Sequence, residues 1–301
     1  MEPARGGHRR RAGVSRGRRG VREAPGGIVP RGMPRYRVLM ELSYRTLGGE
    51  GPPIVMLHGL FGSSQNWAGT GRRLVSQGMV YALDLRNHGD SPHAPTHTLS
   101  DCVGDLQEWV TAHAQGPVRL IGHSMGGQAA MGFAAALPDL LAGLAVLDIA
   151  PRPYPVDHEE ELRALRTDIR ECSTRADLDA LLAPLLPDPG VRQFILTNAV
   201  REGEGFRWRL NVETLAASTL SSDFADFAGR FEGPTLLVAC GRSPYVREED
   251  RALMKRYFPA VQIRTIPEAD HWPHISAPVA LEKALHEFLS RTSGNSAHRL
   301  Q

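Results

Sequence analysis

The sequence predicts an α/β fold, a mostly parallel, doubly wound sheet interrupted by a helical insertion. Three observations carry that expectation. Short runs rich in Val, Ile and Leu recur along the chain, each ending in an irregular loop and each followed by a helical pattern, as parallel strands buried on both faces require. One of them, Pro117-Val118-Arg119-Leu120-Ile121, leads directly into Gly122-His123-Ser124-Met125-Gly126 and then into an Ala/Gly-rich segment reaching Leu137. From Pro151 to about Phe231 the alternation stops. There the pattern turns helical, punctuated by Pro184, Pro187 and Pro189, and strand–helix alternation resumes at residue 235.

The elements follow in order. Residues 36–47 read as one or two antiparallel edge strands, 54–58 as the first central strand, 64–77 as a helix and 80–84 as a strand. Residues 99–114 form a helix with Val103, Leu106 and Val110 on one face; 118–121 form the strand before the Gly-x-Ser-x-Gly turn. A helix over 125–137 is stopped by Pro138, and 144–149 is the next strand. In the insertion, Leu162, Leu165 and Ile169 share one helical face, and Val191, Phe194 and Ile195 another. A strand (235–239), a helix (248–257), a strand (261–266) and a helix (279–289) complete the pattern. The resulting plan is a core of residues 36–150 and 232–291, a helical lid of 151–231, an Arg/Gly-rich tail of 1–35 and a polar tail of 292–301.

At 301 residues the chain has room for one large α/β domain plus the insertion. No apolar run approaches the roughly 18 to 20 residues of a membrane span. Cys102, Cys172 and Cys240 are odd in number and lack metal or redox spacing, so they read as reduced core thiols of a cytoplasmic protein. Nothing has the spacing of metal ligands or of a phosphate-cradling glycine loop, and no cofactor or metal is expected. Charge is uneven. Residues 1–35 carry ten arginines against two glutamates, a formal +8 that leaves −6 for the rest of a chain whose total is +2. Such a tail has too little apolar surface to fold alone. Three readings stand for it: a start placed upstream of a true one at Met33 or Met40, a segment without a role, or one that binds nucleic acid or an acidic surface. Gly and Pro break the amphipathic stripe that a mitochondrial presequence would show. Nucleic acid is not an expected partner of the domain, and oligomeric state is left open.

Strand, Gly-x-Ser-x-Gly and helix in that order form the nucleophile elbow of the α/β-hydrolase fold. The turn is so tight that side chains two residues to either side of the serine would collide, which glycine avoids. Ser124 is then held at the tip of the sheet, with the Met125 N–H and the helix dipole facing the oxygen that turns negative in acyl transfer. A serine hydroxyl needs a base, and the base an orienting acid, in the chain order Ser, acid, His. Of the later histidines, His158 and His286 sit on predicted helices among polar neighbours and His298 in the tail, so these three read as solvated. His271, in the loop after the last strand, is the expected base, with His274 the alternative. The loop after residues 235–240 is the usual place for the acid, but Gly241-Arg242-Ser243-Pro244-Tyr245 holds no carboxylate. Asp148, at the end of the preceding strand, is the candidate, because a carboxylate there is costly unless paired. Glu248 competes, although Glu248, Glu249 and Asp250 read as first-turn charges of a helix.

At the level of whole motifs the chain resembles the YbfF-type esterase branch of the α/β hydrolases. The matching residues are His58-Gly59-Leu60-Phe61-Gly62-Ser63, Arg86-Asn87-His88-Gly89-Asp90-Ser91-Pro92, Gly122 to Gly127, Asp148-Ile149-Ala150-Pro151, Phe206 to Asn211, Ser243-Pro244-Tyr245-Val246 and His271-Trp272. The resemblance runs from about Leu42 to Leu289 and leaves out the Arg-rich tail. It implies an acid after the strand that ends at Asp148, and hydrolysis of acyl esters or of acyl thioesters such as acyl-CoA. Two positions depart from the pattern. Asp270 stands before His271 where a glycine is usual, which would alter base positioning. Gln128 replaces a usual lysine, which would weaken attraction for an anionic substrate. The N–H groups of Leu60 and Met125 are the expected oxyanion donors. His58 and His123 read as structural. Phe61, Trp208 and Trp272 are aromatic candidates for the acyl pocket, with core packing the competing reading. The expected activity is a cofactor-free serine carboxylesterase or thioesterase acting on a small acyl substrate. A carbon–carbon bond hydrolase, a perhydrolase or a low-turnover receptor on the same triad are the alternatives.

Overall fold

The computed structural model describes residues 40–155, 158–226 and 228–292. In chain order the first half contains β1 (Tyr44–Gly48), β2 (Pro53–Leu57), α1 (Ala68–Arg73), β3 (Met79–Leu83), α2 (Leu99–His113), β4 (Val118–His123), α3 (Met125–Ala136) and β5 (Leu141–Leu147). An insertion follows, with α4 (Glu159–Leu165), α5 (Arg175–Leu182), α6 (Pro189–Leu196), β6 (Ala199–Glu202), β7 (Gly205–Trp208) and α7 (Val212–Ala216). The chain then returns with β8 (Thr235–Cys240), α8 (Glu248–Tyr257), β9 (Val261–Ile266), α9 (Pro273–Ser276) and α10 (Pro278–Thr292). The seven-stranded sheet has the order β1-β3-β2-β4-β5-β8-β9. Only β1 runs antiparallel to its neighbour.

Both faces of the sheet are covered, which is why its strands are apolar without alternation. Val55 and Leu57 point into a layer shared with Leu106, Trp109, Phe133 and Phe258. Ile54 and Met56 point the other way, toward Leu281, Leu285 and Phe288 of α10. Phe133 is fully buried, and cutting it to Ala would cost about 3–5 kcal/mol. Helix starts are written locally. The Thr98 hydroxyl accepts from the Asp101 N–H and the Asp101 carboxylate from the Thr98 N–H, a capping box that opens α2. Asp188 caps α6, with Pro189 as its first residue.

Two expectations change. The helix expected over 64–77 is a 3₁₀ turn (Ser64–Trp67), the short α1 and a second 3₁₀ turn (Val75–Gln77). Gly69 and Gly71 weaken helix there, and Gly71 packs so closely on Leu47 of β1 that a side chain would collide. Of the one or two antiparallel edge strands expected over 36–47, one, β1, lies among the described residues, in agreement with that reading. The insertion is not all helical, since β6 and β7 form an antiparallel hairpin. Its turn needs positive φ at Gly203, and Gly205 lies against the Arg170 carbonyl with no room for a Cβ. The tail of residues 1–35, the Met33 start and His298 lie outside the described residues. Thr292, assigned to the polar tail, is the buried last residue of α10.

The insertion has its own core, built on Leu165, Ile169, Leu178, Ile195, Phe206 and Leu215. Hydrogen bonds fasten it over the carboxyl ends of the strands. The Asn198 amide donates to the Phe61 carbonyl (2.8 Å), the Asn211 N–H to the Asn87 carbonyl (3.1 Å) and the Ser218 hydroxyl to the His97 carbonyl (2.8 Å).

Candidate active site

Ser124 sits between β4 and α3 with φ 50° and ψ −122°, a backbone conformation that is strained for any residue but glycine. The glycines around it make that possible. A Cβ on Gly122 would collide with the Gly126 carbonyl, and one on Gly126 with the His58 carbonyl. The Ser124 hydroxyl donates to His271 Nε2 at 3.0 Å. On the far side of the ring, His271 Nδ1–H donates to Asp148 Oδ2 at 2.9 Å. Asp148 follows β5 with φ 52° and is fully buried. Its other oxygen accepts the Cys240 N–H at 3.0 Å, so it bridges the ends of β5 and β8. The carboxylate fixes the imidazole tautomer and leaves Nε2 to accept from the serine. Glu248 lies elsewhere, 86% exposed on α8 and paired with Arg251.

Ser124 and His271 open onto a cavity of about 210 Å³, whose wall includes Leu60, Phe61, Phe194, Tyr245 and Trp272. Met125 is the first residue of α3, where the N–H has no carbonyl four residues back to bond. Leu60 faces the cavity from the loop after β2. Among the described residues that line it there is no lysine or arginine, and the one carboxylate is Glu161 of α4, 3.9 Å from His158. Three buried histidines surround the elbow as neutral rings. Burial lowers the pKa of His58 and His123 and of His88, the last two well below the usual value. His58 Nδ1–H donates to the Gly59 carbonyl while its Nε2 accepts the Leu85 N–H, and His123 Nε2–H donates to the His271 carbonyl at 2.6 Å.

The sequence profile described as the alpha/beta hydrolase family matches residues 54–284. The chain belongs to the alpha/beta hydrolase family. A mouse relative named sn-1-specific diacylglycerol lipase ABHD11 is 36% identical over 263 residues, 83% of this chain and 86% of that protein. Esterase YbfF of Escherichia coli (strain K12) is 34% identical over 240 residues, 79% of this chain and 93% of that protein. A solved structure titled "Marine microorganism esterase" superposes with a TM-score of 0.79 at 33% identity, covering 83% of this chain and 99% of that one. The expected fold, the resemblance to YbfF and the expectation of a serine hydrolase all agree with these findings.

In this alpha/beta hydrolase, several residues stand where the sequence did not lead. Trp208 is not among the residues that line the cavity. Its indole N–H donates to the Thr167 carbonyl and its ring packs inside the insertion. His158, read as solvated, stands at the N-cap position of α4 and lines the cavity against Phe61. His286 lies on α10 with its ring bonded to the Arg73 carbonyl. Gln128 is buried and donates to the Arg152 carbonyl and the Ser221 hydroxyl, so it presents no group to a substrate. Asp270 accepts from the Trp272 N–H and the Ser276 hydroxyl, which holds the His271 loop in shape rather than disturbing it. All three cysteines are free and buried. Among the described residues no helix is long and apolar enough to cross a membrane.

Sequence reasoning passed over three residues. Asp84, at the end of β3, accepts the Ser64 and Asp90 N–H groups and so couples two loops of the site. Its signal was the one used for Asp148, a carboxylate closing an apolar strand. Asn87 has φ 66°, and its side-chain oxygen accepts from Ala94 and from Asn211 of the insertion. That gives the Arg86-Asn87-His88-Gly89 motif a role in fastening the insertion. Tyr245 stacks on the His271 ring. It was legible only as a member of a motif.

Proposed function

We propose that this hydrolase cleaves carboxylic acyl esters, and acyl thioesters, through an acyl-enzyme on Ser124. The reading is carried by the unbroken chain from the Ser124 hydroxyl through His271 to Asp148, with links of 3.0 and 2.9 Å, at the wall of a cavity. Ser124 attacks the acyl carbonyl as His271 Nε2 takes its proton; Asp148 stabilises the imidazolium. The N–H groups of Leu60 and Met125 receive the oxyanion, and the α3 dipole adds to their effect. His271 then gives its proton to the leaving alcohol or thiol, activates a water and releases the acid. Phe61 and Trp272 form the aromatic wall for the acyl group.

A cavity wall that among the described residues has no lysine or arginine, and has Glu161 as its one carboxylate, favours uncharged substrates over anionic ones. The mouse relative's name, a diacylglycerol lipase, points the same way. In this reading residues 36–150 and 232–291 are the catalytic core and 151–231 the lid. The protein works in the cytoplasm, where three unpaired thiols stay reduced.

A fluorophosphonate tests the nucleophile. Mass spectrometry is expected to find a single adduct on Ser124, and an adduct elsewhere, or none on folded protein, overturns the serine mechanism. A panel of nitrophenyl esters and acyl-CoAs of graded length then ranks the substrates. Turnover of neutral esters is expected to exceed that of acyl-CoA thioesters of equal chain length, and the reverse order removes the argument from Glu161.

A further inference from the structure

We infer that Tyr245 is a positioning residue for the histidine base, a fixed aromatic face that orients the His271 ring and stabilises the imidazolium formed in acyl transfer. The inference rests on the reading of His271 as base. The two rings stack with centroids 3.9 Å apart and planes 16° from parallel. Tyr245 comes from the loop after β8, the place where a triad acid is usual and where this chain has none.

The stack is held from behind. The Tyr245 carbonyl accepts from the Tyr154 hydroxyl at 2.7 Å and from Arg152 Nη2 at 3.3 Å. The Tyr154 ring stacks on Tyr245 with centroids 5.7 Å and planes 26° apart, and the Arg152 guanidinium sits 3.9 Å over Tyr154. Asp250 pairs with that guanidinium at 2.9 Å, which offsets its charge. Guanidinium, tyrosine, tyrosine and imidazole are thus in contact pair by pair, ending on the base.

Two physical consequences follow. The ring nitrogens of His271 must point in opposite directions, at Asp148 and Ser124, and a parallel plane on one side restricts rotation away from that line. His123 is a second ring neighbour of His271, tilted by 45° with centroids 4.8 Å apart. In addition, the negative face of an aromatic ring attracts a cation more than a neutral ring. Tyr245 thus favours the protonated imidazole, the species that gains charge in the transition state. Among the remaining groups around His271, Asp148 also stabilises the imidazolium, through its charge. Asp148 faces it from the end of β5 and Ser124 from the elbow. His123, from the end of β4, and His274, from α9, are held neutral by burial, His274 with a pKa of about 4. Asp270 is turned into its own loop, and Trp272 meets His271 edge to face at 5.7 Å.

The test uses the full chain and a neutral nitrophenyl ester across pH, with fluorophosphonate labelling as a second rate. Tyr245→Phe keeps the aromatic face and is expected to hold kcat within about threefold, with the acid limb unmoved. Tyr245→Met fills the space without a face. It is expected to lower kcat about tenfold with little change in KM, and to move the acid limb about half a pH unit toward lower pH. A merely structural gap would admit water, stabilise the imidazolium and move the limb toward higher pH. That result, an unmoved limb, or equal losses in the Phe and Met variants overturns the inference. Tyr245→Leu carries the same expectation, so a folding defect in one variant leaves the other to decide. His271→Ala is measured alongside. If it retains the wild-type rate, the base assignment itself falls, which is distinct from a failure of Tyr245.

Discussion

Four non-glycine residues have positive φ among the described residues, namely Phe61, Asn87, Ser124 and Asp148. Each follows the carboxyl end of a neighbouring parallel strand, β2, β3, β4 and β5 in turn. Positive φ costs an L-residue of the order of 1–3 kcal/mol, so its concentration at one edge marks where the chain gives up local comfort for geometry. At Ser124 the strain exposes the hydroxyl, and at Asp148 it carries the carboxylate across to β8 and His271. The acid is where the assignment is most exposed to test. Asp148→Asn nearly preserves volume but removes the charge and the tautomer control. Its kcat is expected to fall on the order of 10³- to 10⁴-fold with KM little changed, measured on a neutral ester. Glu248→Gln is expected to behave as a surface change. The opposite pattern moves the acid to α8.

At the scale of elements, the insertion supplies part of the cavity wall beside the serine. α4 brings His158 and Glu161 to the cavity, α6 brings Val191 and Phe194, and the β6–β7 hairpin packs behind them. Asn198 and Asn211 tie these elements to the loops after β2 and β3, so the wall they form is fixed to the catalytic edge. On the function proposed above, Glu161 acts as a selectivity element. Glu161→Gln is expected to raise kcat/KM several-fold for a half-ester of a dicarboxylic acid, with little effect on its neutral isostere, and added salt is expected to shrink the difference. Equal effects on both substrates would leave Glu161 as a packing residue. The insertion was legible as an interruption of strand–helix alternation. Its hairpin was not, because Ala199 to Glu202 and Gly205 to Trp208 are four-residue strands. Runs that short carry no periodicity that separates them from helix.

For the whole molecule, buried histidines couple stability to pH. Burial lowers His97 and His274 from 6.5 to about 4, and His58, His88 and His123 shift in the same direction. Such a ring binds its proton more readily once unfolded, so its contribution is fully present above pH 6.5 and lost as pH falls toward 4. By pH 5 each of these two rings is expected to cost on the order of 2 kcal/mol. Urea denaturation at pH 7 and pH 5 checks this, and a midpoint that holds steady across that window contradicts it. His97→Gln is expected to flatten the slope. Measuring rate and unfolding on the same samples distinguishes a loss of activity in acid from a loss of fold.

What is encoded in neighbours along the chain could be read directly from the residues. The elbow is five consecutive residues whose sterics permit one turn, the buried strands are short apolar runs, and the caps and prolines mark where helices start or stop. His271 was reachable too, because few histidines follow Ser124 and only His271 and His274 lie in the loop after the last strand. Tertiary structure decided what depends on which strand ends lie side by side. The pairing of β5 with β8 carries Asp148 to the Cys240 N–H and to His271, 123 residues away. The same closeness sets Tyr245 on the His271 ring, Asn87 against Asn211 and Gln128 away from the cavity. Local sequence fixes conformation through backbone sterics and short hydrogen bonds, which reach a few residues. The charge, stacking and orientation of a site are set by residues far apart in the chain, which meet only when the sheet has formed.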